Sequence, residues 1–139
     1  MFREQLPSHV TELADVARDV ARDRIAPLVR ETEQARAFNP KIRQILAEAG
    51  FLGLVVPERF GGVAPDLRAE LVVVEEIAKV YPSAATYLTA HWVATKLLVR
   101  ASEVDSPRWL GDVLARIAEG ELLGAIAATE PEAGSDLAG

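Results

Sequence analysis

The amino-acid sequence predicts an all-α domain of five helices, followed by one short strand. Apolar residues recur with the spacing of a helical face in five segments, and residues that cap or stop helices separate these segments. After Gly120 the helical period disappears and a short apolar run follows. We therefore predict a helical domain at residues 1–120 and the incomplete start of a β-domain at residues 121–139.

The composition of the chain narrows the classes of function. Its 139 residues are enough for one domain, and 21 acidic against 15 basic residues, with a formal net charge of −6, do not favour binding to nucleic acid. The absence of cysteine excludes disulfides and thiolate sites, and we predict no metal site from two histidines alone. We find neither a secretory signal nor an apolar stretch long enough to span a membrane, so we expect a cytoplasmic location.

The first predicted helix begins near Ser8. Pro27 lies within its apolar pattern, and because proline lacks a backbone N–H and crowds the preceding turn, the helix is expected to kink or end near Ala26. Residues 30–38 are then predicted to form a polar connection. The apolar face of the helix consists of Val10, Leu13, Ala14, Ala17, Val20, Ala21, Ile25 and Leu28.

The second helix is predicted from Pro40 to Ala49, because Asn39 can cap its start and Gly50 can adopt the left-handed conformation that ends it. Residues 51–62 then pass from an apolar run into a turn that contains proline and two glycines, without a helical period. We interpret this stretch as a buried connector that closes in a surface turn.

The third and fourth helices are separated by a Tyr-Pro step after residue 80. Asp66 can cap the third helix and Ser83 the fourth. The fourth helix is apolar almost all round, which is typical of a helix surrounded by others, so we expect it to be central. The predicted inward face of the third helix consists of Leu67, Leu71, Val74, Ile77 and Ala78.

The fifth helix is predicted to start after Ser106 and Pro107 and to be capped at Gly120, with an apolar face of Leu110, Val113, Leu114 and Ile117. Residues 122–128 have neither helical period nor caps and are predicted to form a strand. Because a single strand leaves its backbone groups unpaired on both edges, we expect its partners to come from further sequence or from another chain.

The loop after this predicted strand carries the residues with functional content. Thr129 and Ser135 offer hydroxyl groups, and Gly134 allows a ligand to approach the backbone closely. Such a loop can direct several N–H groups at one oxygen-rich ligand. The same residues also form an ordinary solvent-exposed turn, and turn chemistry alone does not separate these two interpretations.

Two motifs of the chain resemble sequences of the acyl-CoA dehydrogenase family. Residues 129–136, Thr-Glu-Pro-Glu-Ala-Gly-Ser-Asp, are similar to its T-E-P-x-A-G-S-D segment, and residues 53–62 are similar to its G-x-x-V-P-E-x-x-G-G connector. Pro27 resembles the family's first-helix proline. The resemblance covers all 139 residues and implies the N-terminal helical bundle of an FAD-dependent acyl-CoA dehydrogenase, ending in the first strand of a truncated β-domain.

The resemblance also implies roles for individual residues. Thr129 and the backbone of Ala128 and Gly134 would contact the flavin of FAD, and Ser135 would lie near the FAD pyrophosphate and the CoA chain of the substrate. Ile126 would lie against the flavin, where many members have an aromatic residue. In the family a glutamate base removes the α-proton of an acyl-CoA while a hydride passes to flavin N5. That base is expected in the missing C-terminal part, so no catalytic residue is predicted here.

His91, in the fourth helix, has two interpretations. It can be a core histidine whose ring is satisfied by a neighbouring carbonyl or hydroxyl group. It can also contact the substrate, because the resemblance implies that this helix borders the flavin and acyl pocket. Of the other polar or aromatic residues, Trp109 is expected at the surface or in a domain contact, His9 is expected to be exposed, and Glu75 and Glu76 are expected on a solvated helix face.

Three functions are compatible with the sequence. The first is part of an acyl-CoA dehydrogenase that passes electrons to an electron-transfer flavoprotein and forms a homodimer or homotetramer when full length, the 139 residues alone being inactive. The second is a flavin-dependent monooxygenase or oxidase of the same fold, which His91 and the absence of an aromatic residue at Ile126 mildly favour. The third is a non-catalytic helical subunit that completes a site with a partner chain.

Overall fold

The computed structural model describes residues 6–63, 66–105, 107–129, 131 and 134. In this part of the chain it confirms the predicted all-α bundle. A π-helical segment, Val20–Ile25, joins the first two α-helices directly, so that together they correspond to the first of the five predicted helices. The α-helices are α1 (Ser8–Asp19), α2 (Ala26–Ala35), α3 (Pro40–Glu48), α4 (Leu67–Val80), α5 (Pro82–Val104) and α6 (Arg108–Ala118).

The helical path does not end near Ala26, so that one of the two predicted outcomes was wrong. The other predicted outcome, a kink there, agrees with the π-helical segment that ends at Ile25. α2 continues to Ala35, so the predicted polar connection shrinks to residues 36–39. The π-helical turn immediately precedes α2, and Pro27 lies within the first two positions of α2. Proline is tolerated in the first turn of a helix, because a backbone N–H there would have no intrahelical partner. A turn of altered hydrogen bonding thus lets the chain pass the proline without breaking the helix.

Most of the predicted helix ends are confirmed. Asn39 caps α3 and Asp66 caps α4, each side chain accepting a hydrogen bond from the backbone N–H two residues further on, at 3.0 and 2.9 Å. Gly50 and Gly120, which follow α3 and α6, have φ angles of +75° and +77°. Ser83 is not the cap of α5, because that helix begins one residue earlier with proline in its first turn.

The connector between α3 and α4 starts in the core, as predicted. Residues 51–56 are buried and include a 3-10 turn, Leu52–Val55, while a second 3-10 turn, Glu58–Phe60, lies closer to the surface. Gly53 touches the end of α6, since a Cβ at this position would lie 2.7 Å from the carbonyl oxygen of Ala118. A larger residue would therefore separate the connector from α6.

α4 turns a different face to the core than the one predicted. Leu67 and Leu71 are 63% and 47% exposed, and of the predicted inward residues only Ile77 is fully buried. The helix packs against both α1 and α5, and its buried surface includes two acidic residues that interrupt the apolar stripe in the sequence. The apolar pattern therefore pointed to a neighbouring stripe. The buried residues of α4 are Ala69, Glu70, Val72, Val73, Glu76 and Ile77.

Glu76 is not solvated, contrary to the prediction, because its side chain is only 2% exposed. Lys79 Nζ lies 2.8 Å and Arg18 Nε lies 3.7 Å from its carboxylate oxygens. Glu70, whose side chain is 9% exposed, pairs with Lys96 of α5. Acidic groups are tolerated at low exposure where cations pair with them. These ion pairs connect α4 to α1 on one side and to α5 on the other.

α5 was predicted to be surrounded by other helices, and in the described structure this holds for one side of the helix only. It packs against α4, α6 and the Leu52–Val55 turn, and its side chains contribute to the two largest apolar clusters. One stripe of α5 stays uncovered in the described structure, where Val93 and Leu97 are 50% and 60% exposed. Within the described ranges, no helix has both the length and the apolar character that crossing a membrane requires.

The chain that follows α6, residues 122–129, is neither helical nor paired as a strand in the described structure. We call it the 122–129 segment. The predicted strand is not formed here, because a hydrogen-bonded ladder needs a second strand and the described residues contain none. The assignment of residues 121–139 to a separate β-domain stays a prediction.

Candidate functional site

The 122–129 segment leaves the helical domain at a point fixed by α3. Gly120 has a φ of +77°, and a Cβ at this position would lie 2.7 Å from the Cβ of Ala47 on α3. The guanidinium group of Arg43, also on α3, donates a hydrogen bond to the carbonyl oxygen of Glu121 at 2.7 Å. The two residues that precede the segment are therefore held by close packing and by one charge-assisted hydrogen bond.

His91 of α5 holds the segment at Gly124. The residue is 2% exposed, and its Nδ1 accepts a hydrogen bond from the N–H of Gly124 at 2.9 Å. On the other side of the ring, Nε2 lies 3.1 Å from the carbonyl oxygen of Leu52. A carbonyl oxygen can only accept, so Nε2 carries the proton, Nδ1 carries none, and the ring is neutral. One imidazole thus joins α5, the Leu52–Val55 turn and the segment.

The surroundings of His91 favour the neutral ring. Burial lowers the pKa of His91 below its ordinary value of 6.5, and this effect outweighs the hydrogen bond to Leu52, which favours the charged form. The positive charge of Arg43 lowers the pKa further. Protonation would also remove the acceptor that Nδ1 offers to Gly124, so the contact with the segment requires the neutral ring.

The stability of the chain is expected to decrease as the pH falls below 6.5 because of His91. Since the pKa of His91 is lower in the folded chain, the unfolded chain binds this proton first, and the free energy of unfolding falls with pH. For one proton the slope is at most about 1.4 kcal/mol per pH unit. Urea denaturation at a series of pH values measures this slope.

Two substitutions control for other groups in this titration. His91→Asn should flatten the dependence of the free energy of unfolding on pH. His9→Asn removes the other imidazole, so the pH dependence that this variant keeps cannot come from His9. Two carboxylates titrate further from this range, because hydrogen bonds from arginines hold the pKa of Asp66 below 3.8 and that of Glu48 below 4.5. Equal slopes for the wild type and His91→Asn would contradict a buried, neutral His91.

Gly124 lies directly on α5. A Cβ at this position would lie 2.7 Å from the Cβ of Ala94 and 3.3 Å from the carbonyl oxygen of His91, which also accepts a hydrogen bond from the hydroxyl of Thr95 at 2.8 Å. Any side chain would therefore push the segment away from the helix. Sequence reasoning missed this contact, although an isolated glycine in a strand-like run does indicate a close approach of the backbone.

The predicted site residues lie at the outer end of the same segment. Ile126, Ala128 and Thr129 are exposed, Ile126 by 44%, and the backbone groups of residues 125–129 make no hydrogen bond to other described residues. Gly134 is also exposed, and a Cβ there would meet no atom within 4 Å. The remaining predicted site residue is Ser135, which lies outside the described residues.

The two ring nitrogens of His91 both have backbone partners, in agreement with its interpretation as a satisfied core histidine. A contact between His91 and a substrate stays a prediction. Trp109 is 62% exposed, as expected for a surface position, and the side chain of His9 is 65% exposed, with Nε2 3.4 Å from Asp66. Within the described part of the chain, no group of three or more histidine or acidic residues could hold a metal ion.

The helical domain matches a known family along most of its length. Residues 8–121 match the family model of the acyl-CoA dehydrogenase N-terminal domain. The chain belongs to the acyl-CoA dehydrogenase family. It is 32% identical over 123 residues to a 3-(aryl)acrylate reductase of Clostridium sporogenes, covering 87% of this chain and 32% of that relative. It is 34% identical over 134 residues to a cyclohex-1-ene-1-carbonyl-CoA dehydrogenase of Geobacter metallireducens, covering 93% of this chain and 34% of that relative.

The fold agrees with that of solved acyl-CoA dehydrogenases. The structure of an acyl-CoA dehydrogenase from Bacillus anthracis complexed with FAD aligns with a TM-score of 0.80 and 26% identity, over 99% of this chain and 24% of that chain. The chain thus spans about a third of the length of the two relatives, since the matched regions make up 32% and 34% of them. Within the acyl-CoA dehydrogenase family, the described helices correspond to the N-terminal domain, and the 122–129 segment follows directly after it.

Proposed function

We propose that this chain contributes one wall of the flavin and thioester site of an FAD-dependent acyl-CoA dehydrogenase. The observation that most directly supports the proposal is the exposed backbone of residues 125–129, whose N–H and C=O groups make no hydrogen bond to other described residues. The helical domain holds the chain just before this backbone by two hydrogen bonds, one from Arg43 to Glu121 and one from Gly124 to His91. The family supplies the class of reaction.

The donors and acceptors of the segment fit the pyrimidine edge of a flavin. That edge carries carbonyl and N–H groups, which exposed backbone N–H and C=O groups can match, and Thr129 adds a hydroxyl that can donate or accept. Dipoles fixed in this way stabilise negative charge on a reduced flavin without reorganising. In this proposal Ala128, Thr129 and Gly134 bind the ring, Ile126 lies against it, and Ser135 binds the FAD pyrophosphate and the CoA chain.

The proposed reaction is the α,β-dehydrogenation of an acyl-CoA thioester. FAD, when bound, supplies the hydride acceptor at N5. The proposed role of the residues of this chain is to bind and orient, and none of them is proposed as the base that removes the α-proton. Glu130 and Glu132 belong to the loop motif and are not proposed as that base. We further propose that the whole protein is a homo-oligomer that passes its electrons to an electron-transfer flavoprotein.

A second candidate is the same chemistry in the reductive direction. One relative is a 3-(aryl)acrylate reductase, and the contacts proposed for the flavin would serve hydride transfer in either direction. A monooxygenase or oxidase of the same fold finds no support among the relatives described above. Assays of saturated and unsaturated thioesters, with an electron acceptor and a donor respectively, separate the two directions.

Binding of FAD by two proteins tests the proposed function. The 139-residue chain is expected to lose FAD on desalting, because it offers the flavin only one segment and its loop. A chimera joins residues 1–129 to the downstream part of the Geobacter metallireducens dehydrogenase. It is expected to stay yellow, and its flavin absorbance should fall when cyclohex-1-ene-1-carbonyl-CoA is added. A folded chimera that retains no FAD would contradict the proposal.

Thr129→Val in this chimera tests the hydroxyl contact. The substitution keeps the shape of the side chain and removes one hydrogen bond, so the affinity for FAD is expected to fall by about tenfold, measured by flavin fluorescence titration. Thr86→Val is the matched control, because it removes a hydroxyl from an exposed position on α5 and should leave the affinity unchanged. Equal losses in both variants would argue against a specific contact at Thr129.

A further inference from the structure

Gly124 is the last residue of the 122–129 segment with a hydrogen bond to the helical domain in the described structure. Closer to α6, the N–H groups of Glu121 and Leu122 donate to the carbonyl oxygen of Arg116 at 2.9 and 3.3 Å. Two residues further on, the N–H of Gly124 donates to His91. Residues 125–129 make no such bond to other described residues. The position of the exposed backbone therefore depends on the contact at Gly124.

The contact at Gly124 admits only one register of the segment on α5. Shifting a strand-like chain by one residue moves every residue by about 3.3 Å and turns its side chain to the opposite face. Such a shift would bring Leu123 or Ala125 to the position where Ala94 leaves no room for a Cβ. The contact at the glycine thus excludes other registers sterically, while a hydrogen bond to Nδ1 of His91 stabilises the observed register.

His91 can act as a fixed acceptor because its ring is itself held in place. The carbonyl oxygen of Leu52 accepts the Nε2–H, so Nδ1 presents a lone pair to the segment. The start of this buried turn is held a second time, by Trp92, whose Nε1–H donates to the carbonyl oxygen of Phe51 at 2.8 Å. The acceptor for Gly124 therefore belongs to the buried part of the helical domain.

We propose that His91 is a positioning residue for the flavin-facing backbone: its Nδ1 sets the register of the 122–129 segment on α5, and that register places Ala128 and Thr129. The setting of the register is a property of the helical domain itself. Its consequence for FAD rests on the function proposed above. His91 acts in this scheme through Gly124 and needs no contact with the cofactor.

Two substitutions separate the roles of the two ring nitrogens. In His91→Asn the amide oxygen takes the place of Nδ1 and can accept from Gly124. In His91→Gln the amide N–H takes the place of Nε2 and can donate to Leu52, but Gly124 is left without an acceptor. Trp92→Phe is the matched control, because it removes the neighbouring hydrogen bond to Phe51 and none to the segment.

Hydrogen exchange at the Gly124 amide, followed by NMR in the 139-residue chain, measures the register contact. After correction for any change in global stability, the Gly124 amide should exchange about tenfold faster in His91→Gln than in the wild type. In His91→Asn and Trp92→Phe its exchange rate should stay within about twofold of the wild-type rate. Equal protection of Gly124 in His91→Gln and wild type would overturn the proposal. If His91→Gln does not fold, imidazole ¹⁵N shifts of the wild type decide, since a proton on Nδ1 would exclude the bond from Gly124.

The consequence for the cofactor is measured in the chimera described above. His91→Gln should weaken FAD binding by about tenfold, and His91→Asn and Trp92→Phe by no more than about twofold. If His91 had a purely structural role, the affinity for FAD would fall in proportion to the melting temperature in all three variants. That result would overturn the proposal. A wild-type chimera that folds without FAD contradicts the proposed function, and the exchange of Gly124 then decides the role of His91.

Discussion

Replacing Trp92 with alanine is expected to lower the free energy of unfolding by about 3–5 kcal/mol. Trp92 is 3% exposed in the largest apolar cluster, so the substitution removes a large buried ring. It also takes away the donor to the carbonyl oxygen of Phe51, and a buried acceptor without a partner adds to the cost. Urea denaturation followed by far-UV circular dichroism measures the change.

Trp109 is the matched control for this substitution. It is 62% exposed on α6, so Trp109→Ala should change the free energy of unfolding by less than about 0.5 kcal/mol. The chain contains two tryptophans, and the fluorescence of each single variant therefore reports on the other one. Equal destabilisation by the two substitutions would contradict the contrast in burial between α5 and α6.

The consecutive residues His91 and Trp92 bond to the stretches of chain that precede the two family motifs. Their side chains donate hydrogen bonds to the carbonyl groups of Leu52 and Phe51, immediately before the connector motif. The ring of His91 also accepts a hydrogen bond from the N–H of Gly124, five residues before the loop motif begins. α5 thus bonds to the backbone that leads into each motif. A displacement of the connector would be transmitted to the segment through one imidazole.

The helix boundaries could be predicted because local chemistry sets them. Asn39 and Asp66 cap helices with their own side chains, and Gly50 and Gly120 end helices in a conformation that glycine adopts without strain. The helical path past Pro27 could not be predicted in the same way. It depends on a π-helical turn that packs against α3 and α4 and that no local residue pattern indicates.

The orientation of α4 could not be read from apolar residues, since two of its buried positions are acidic. Glu70 and Glu76 are buried next to cations on α5 and α1 that are remote in sequence, and Lys79 of α4 itself also pairs with Glu76. The same limit applies to the candidate site. The loop motif was recognisable from its residues, whereas the bond between His91 and Gly124 joins positions 33 residues apart. Only the folded arrangement of α5 and the segment brings them together.

The connector motif ends in two glycines that are expected to be needed for different reasons. Gly62→Ala should lower the free energy of unfolding by about 3 kcal/mol, because a Cβ there would lie 2.0 Å from the carbonyl oxygen of Val56, a backbone atom that cannot move aside alone. Gly61 has open space around it but a φ of +83°, so Gly61→Ala should cost about 1 kcal/mol of conformational strain. Thermal and urea denaturation measure both costs.

Gly134→Ala completes this series as a control, since a Cβ there meets no atom within 4 Å, and its cost should stay below about 0.5 kcal/mol. The series separates steric from conformational requirements within one motif. If Gly61→Ala proved costlier than Gly62→Ala, the left-handed turn and not the contact with Val56 would be the main constraint. If Gly62→Ala is the costlier substitution, as expected, the second glycine is required because the end of the connector packs directly on the backbone of Val56.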